Sequence, residues 1–119
     1  VGAKSSENIG GSKSVTVGDS MTHTSGADYK MAVGKDFKLE AADKGNVSFG
    51  DKGAIQTGKD LSISVGKKAT FEAVDQITLK CGGAQIVMKK NGDISIKGKK
   101  IDIKGSGKVT IKGSQTAIN

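Results

Sequence analysis

Apolar and polar residues alternate along most of this chain, and the alternation is interrupted every eight residues. Glycine marks the period. It stands at positions 2, 10, 18, 26, 34, 50, 58, 66, 82 and 98, all in one phase. The same phase is held elsewhere by Ala42, Val74, Lys90, Ser106 and Ser114. With the phase position as zero, positions +3 and +5 read Met21/His23, Tyr29/Met31, Phe37/Leu39, Gly45/Val47, Gly53/Ile55, Leu61/Ile63, Ala69/Phe71 and Ile77/Leu79. None of these is Asp, Glu, Lys or Arg, whereas +4 and +6 carry residues such as Lys38/Glu40, Ser62/Ser64 and Thr78/Lys80. Alternation with period two places successive side chains on opposite faces, so each octad is predicted to be a short β-strand with one buried face. Charges gather just after the phase position, as in Lys35-Asp36, Lys59-Asp60 and Lys67-Lys68. Glycine at zero suits a sharp corner because it tolerates positive φ and close backbone approach.

The expected unit is therefore strand, corner, strand. The predicted corners are Gly18, Gly26, Gly34, Gly50, Gly58, Gly66, Gly82 and Gly98. The predicted core is Met21, Tyr29, Met31, Phe37, Leu39, Val47, Ile55, Leu61, Ile63, Phe71, Ile77, Leu79, Ile101, Ile103, Val109 and Ile111. An octad offers only about two inward side chains, so units must stack to bury them. Three octads could close a triangular turn within one chain, or three chains could each contribute one. Composition bears on that choice. The 119 residues are 34% hydrophobic, with 3 Phe, 1 Tyr and no Trp. A thin single-chain solenoid with so little large apolar volume would be marginal alone. The expected fold is accordingly all-β: an intertwined three-stranded β-helix, a triangular prism formed by a homotrimer. At ~4.8 Å per octad such a rod would span roughly 70 Å.

Departures from the pattern divide the chain. Residues 1–16 put Ser5, Glu7 and Lys13 at inward positions, a polar start, and Val1-Gly2 already lies in phase, which predicts a rod continuing upstream. Residues 17–81 are regular octads. In residues 82–98 the apolar set moves to even numbers, Ile86, Met88, Ile94 and Ile96, before odd numbers return at Ile101 and Ile103. A one-residue slip flips every side chain, so the change must be absorbed at both ends. Gly82-Gly83 and Gly98 are suited to that as bulges. Lys90-Asn91-Gly92 could instead form a three-residue hairpin loop with Gly92 left-handed, pairing Met88 with Ile94 and Ile86 with Ile96. Because Gly98 keeps the original phase, a continued run of octads with an outward bulge at Asn91-Gly92 is favoured.

Residues 99–119 form a basic end. Net charge is +7, and residues 81–119 hold 8 of the 19 Lys against 2 acidic residues. No Arg is present to make bidentate phosphate contacts, and residues 81–119 hold no aromatic side chain for base stacking. A nucleic-acid partner is not expected, and a solvated Lys face is. Chemistry is sparse elsewhere. His23, the single His, could form a threefold metal-binding ring on a trimer axis, or simply stack there. Cys81 continues the odd parity as a small hydrophobe. No P-loop or Gly-x-Ser-x-Gly is present, so no enzyme and no cofactor are expected.

Several segments carry a family resemblance: Val33-Gly34-Lys35-Asp36-Phe37-Lys38-Leu39-Glu40, Thr57 through Ser64, Leu79-Lys80-Cys81-Gly82-Gly83-Ala84-Gln85-Ile86-Val87-Met88, Asn91-Gly92, Ile94-Ser95-Ile96-Lys97-Gly98 and Val109-Thr110-Ile111-Lys112-Gly113. In these the chain resembles the C-terminal needle of VgrG proteins, the trimeric spikes of the bacterial type VI secretion system. They are similar in architecture to the puncturing device of contractile-tailed phages. The resemblance implies a homotrimer that is assembled in the bacterial cytoplasm and then expelled into the extracellular space or a target cell. It implies a structural role in piercing the target envelope, and a distal end that seats a PAAR-type tip protein and secreted effectors. That end falls on Ser114, Gln115, Thr116, Ala117, Ile118 and Asn119. A trimeric tail-fibre or adhesin stalk that binds a surface ligand is the alternative.

Overall fold

A computed structural model describes residues 2–119. The expectation made at Val1 lies outside the described residues. The protein is all-β: among the described residues there is no helix, and the regular secondary structure is one antiparallel three-stranded sheet. By contact the chain divides into two units, one ending at Ala54 and the other spanning Ile55–Asn119.

Within each unit the backbone keeps the period of eight. It bends at residues 10–11, 18–19, 26–27, 34–35, 42–43 and 50–51 in the first unit. The second unit bends at 58–59, 66–67, 74–75, 106–107 and 114–115. Each of these bends opens on the phase position, including those that start at Ala42, Val74, Ser106 and Ser114. A corner thus forms whether or not the residue is glycine. None of the glycines at these bends has positive φ, which corrects one of the two reasons the sequence offers for them. Ser25 fastens one corner, its hydroxyl donating to the Asp28 carbonyl at 2.8 Å.

The sheet contains β1 (Gln76–Cys81), β2 (Ala84–Lys89) and β3 (Ile94–Lys97), in that order. β1 and β2 pair from Gln76↔Lys89 to Cys81↔Ala84. Gly82-Gly83 is therefore a two-residue hairpin loop. Its first residue has φ 54°, the left-handed backbone at that position required by II′-type turns, which match the twist of the flanking strands. β2 and β3 pair as Met88↔Ile94 and Ile86↔Ile96. Here the loop is Lys90-Asn91-Gly92, with Gly92 at φ 95°. The Gly92 amide donates to the Lys89 carbonyl and the Lys89 amide to the Asp93 carbonyl, each at 3.0 Å. Asn91 braces the loop by accepting from the Asp93 amide at 3.1 Å and donating to its carboxylate at 3.0 Å.

These pairings correct the favoured reading of residues 82–98. The segment is a pair of hairpins, with no outward bulge at Asn91-Gly92. Gly82 is a reversal, neither an octad corner nor a bulge. Near Gly98 the chain bends one residue late, at 99–100. The parity change now has a cause. A two-residue loop sets odd-numbered Cys81, Leu79 and Ile77 opposite even-numbered Ala84, Ile86 and Met88, while the three-residue loop keeps even opposite even. The period itself survives, because the reversals start at Gly82 and Lys90, both in phase.

The two glycines with positive φ are expected to tolerate side chains poorly. Gly92→Val places a β-branched residue where L side chains are strained, and is expected to cost about 1–3 kcal/mol. Thermal unfolding followed by β-sheet circular dichroism checks this; an unchanged midpoint would contradict the loop geometry.

Candidate assembly surface

The sheet is two-faced. One face carries Ile77, Leu79 and Cys81 from β1, Ala84, Ile86 and Met88 from β2, and Ile94 and Ile96 from β3, all apolar. The other carries Gln76, Thr78, Lys80, Gln85, Val87, Lys89, Ser95 and Lys97, polar except for Val87. A face of eight apolar side chains belongs in a core. Yet Ile86, the central residue, is still 37% exposed, and Leu79, Ile94 and Ile96 are more so. Beside this face lies a groove of about 1040 Å³, entirely within the second unit. Its lining combines the sheet residues Leu79, Ile86 and Ile96 with Ile55, Leu61 and Ile101 from the flanking octads.

The octads are equally open. Among the described residues no side chain is buried. Leu39 and Ile63 are each 79% exposed and Phe71 is 81% exposed. Met21, Tyr29, Met31, Phe37, Val47, Ile103, Val109 and Ile111 are likewise exposed. Hydrogen bonding follows the same division. Among the described residues, every backbone-to-backbone hydrogen bond lies within residues 75–97: the sheet ladders and the three bonds at its ends. Among the described residues, the octads on either side donate no backbone N–H to any backbone carbonyl of their own chain.

Position +7 was missed by the sequence reading, although it shares the odd parity of +3 and +5. Val17, Val33 and Val65 occupy it; Val33 and Val65 are each less exposed than their +3 and +5 neighbours, and Val17 is less exposed than Val15 at +5. Phe49 stands there too. Its ring covers Gly53, where an added Cβ would come within 2.5 Å of the ring. The aromatic thus fills space left by the small residue at +3 of the next octad, Gly53, while a Cβ added at Gly45 would meet nothing within 4 Å. The available signal was the odd parity of Phe49 together with the glycine four residues after it.

The remaining candidates are scattered. His23 meets Tyr29 edge to face across the Gly26 corner, ring centroids 6.4 Å apart. Among the described residues no three metal-ligating side chains come together in the chain, so a His23 metal ring needs further copies. Cys81 is free and exposed beside the Gly82 turn. Lys38–Glu40, Lys90–Asp75 and Lys100–Asp102 pair at 3.3–3.5 Å, all exposed, and such pairs contribute little. Ser114–Asn119 follows the last bend, with Ile118 at 92% exposure. No helix of the described residues is long and apolar enough to cross a membrane. No protein-family model matches the chain, and no curated protein matches it.

At Gly18, Gly26, Gly34, Gly50, Gly58 and Gly66 an added Cβ would meet nothing within 4 Å in the same chain. If these corners are glycine because another copy approaches them, Gly58→Val is expected to lower the unfolding midpoint of the assembled protein by several degrees. A midpoint equal to that of the unchanged protein would show that nothing lies against the corner.

Proposed function

We propose that this chain is the needle segment of a type VI secretion spike, built by three copies as an intertwined three-stranded β-helix. The observation that carries the proposal is the absence of internal partners along the octads. Their alternating pattern demands a buried face and paired strand edges, and among the described residues neither is met within the chain. Two further copies meet both needs at once. Their strands pair with the open edges, and their +3, +5 and +7 side chains close an apolar seam.

Such an assembly acts mechanically, without a reaction of its own. Thrust along a needle is resisted by interchain hydrogen bonds at every level and by a seam that separates only by exposing apolar surface to water. Intertwining adds that no copy leaves without unwinding from the others. The resemblance to VgrG needles supplies the context: sheath contraction drives the spike from the producing cell, and a target envelope receives it. The end at Ser114–Asn119 is where a PAAR-type tip protein would seat, carrying effectors. The Lys-rich outer face keeps the assembly soluble.

Sedimentation equilibrium tests the assembly, and the expected mass is three times 12.2 kDa. Ile63→Asp would set three carboxylates in the seam and forfeit about 1.5–3 kcal/mol of burial per copy, besides the cost of burying charge. It is expected to abolish the trimer at micromolar concentration. In a complete spike the same change is expected to abolish delivery of effectors to target cells. A chain that stays folded as a monomer, or a spike carrying Ile63→Asp that still delivers, would overturn the proposal.

A further inference from the structure

We infer that the three-stranded sheet fixes the register in which copies of this chain assemble, its apolar face packing against the same face of two further copies. The inference rests on the trimer proposed above and adds to it the element that aligns the chains.

Octads alone align poorly. Phe37/Leu39, Leu61/Ile63 and Ala69/Phe71 are similar inward pairs at the same phase, so within residues 17–74 a chain displaced by eight residues still meets apolar partners and corners at most levels. Repeating strands with weakly distinguished registers slip. The sheet removes that degeneracy, because it occurs once: among the described residues no other segment reverses on itself. A displaced copy would set its antiparallel sheet against octads of its neighbours, leaving those octads without strands to pair with and the apolar face without its counterpart.

Two further observations assign the apolar face to copies of this chain. First, the face is continuous with the octad rows proposed as the trimer seam. Leu79, Ile86 and Ile96 line the same groove as Ile55, Leu61 and Ile101. Whatever covers the octad rows therefore meets the sheet as well. Second, the sheet is the one segment whose backbone hydrogen bonds close within a single chain. Its contacts are local in sequence, the class that forms fastest. It can thus be in place before any partner arrives, while the octads have nothing to pair with until one does. Assembly would begin where three preformed apolar faces meet, and the octads would zip outward in register.

Refolding of the full chain from denaturant tests this by comparing Ile86→Ala/Ile96→Ala in the sheet with Leu39→Ala/Ile63→Ala in the octads, neither of which lines the groove. Changes in a folding nucleus slow folding, while changes elsewhere mainly speed unfolding. The sheet variant is expected to form trimer at least about tenfold more slowly, and the octad variant to assemble near the normal rate but unfold faster. The reverse pattern, or equal assembly rates in all three proteins, would overturn the inference and leave the trimer standing. An unchanged chain that sediments as a monomer would overturn the trimer itself. So would a monomer whose groove takes up an apolar dye, which would assign the face to another occupant.

Should the sheet variant not assemble at all, Gly92→Ala provides the second test. It strains the β2–β3 loop and removes no apolar surface. A spin label at Ser64→Cys, with Cys81→Ser in the background, is expected to give one interchain distance with the native loop and several with Gly92→Ala. One identical distance in both would overturn the register role.

Discussion

The constraint on which everything else depends is the pairing of backbone polar groups. A β-strand that buries one face must also satisfy the N–H and C=O groups along its edges. Among the described residues only 75–97 do so internally. The octads bend at regular corners, present apolar rows and leave both edges open. A lone chain would have to hydrate those edges and expose those rows, and it holds no core to offset the entropy of ordering. The proposed trimer follows from that imbalance more than from any single contact. Position +7 strengthens it by adding a third apolar side chain to many octads.

Turn chemistry decides what each octad does next. The repeat length holds through the second unit but for the one-residue delay at 99–100, yet the path changes from corner to reversal at Gly82 and back after Lys97. The reversals coincide with the two left-handed glycines, each beside a helpful neighbour: Gly83 in one loop, the bracing Asn91 in the other. Corners with glycine but without positive φ only bend. One period can therefore encode both an open run, which needs other copies, and a closed sheet, which does not. The sheet then becomes the natural place for copies to find their alignment.

This also explains how much could be read in the sequence. The period and the alternation were visible because glycine and apolar residues mark them repeatedly, and the bends fall on that phase from residue 10 to residue 74. The hairpins were harder. Phase favoured a continued run, since Gly82, Lys90 and Gly98 all keep it, but reversals can keep it as well. Parity was the better guide: the move to Ile86, Met88, Ile94 and Ile96 is the mark left by a two-residue loop. Phe49 went unread because its partner is an absence, the missing side chain of Gly53. The apolar surface could be listed from the pattern, but no sequence pattern states which copy covers it, since an inward row looks the same whether its partners lie in the same chain or in another.

Amide hydrogen exchange across residues 17–74 tests the central claim most directly. These amides have no backbone acceptor in their own chain. If other copies supply the acceptors on both edges, the amides of each octad between its corners are expected to exchange slowly, and their protection to vanish together when dilution or denaturant dissociates the assembly. Rapid exchange throughout 17–74, with protection confined to the sheet at 76–97, would contradict the account.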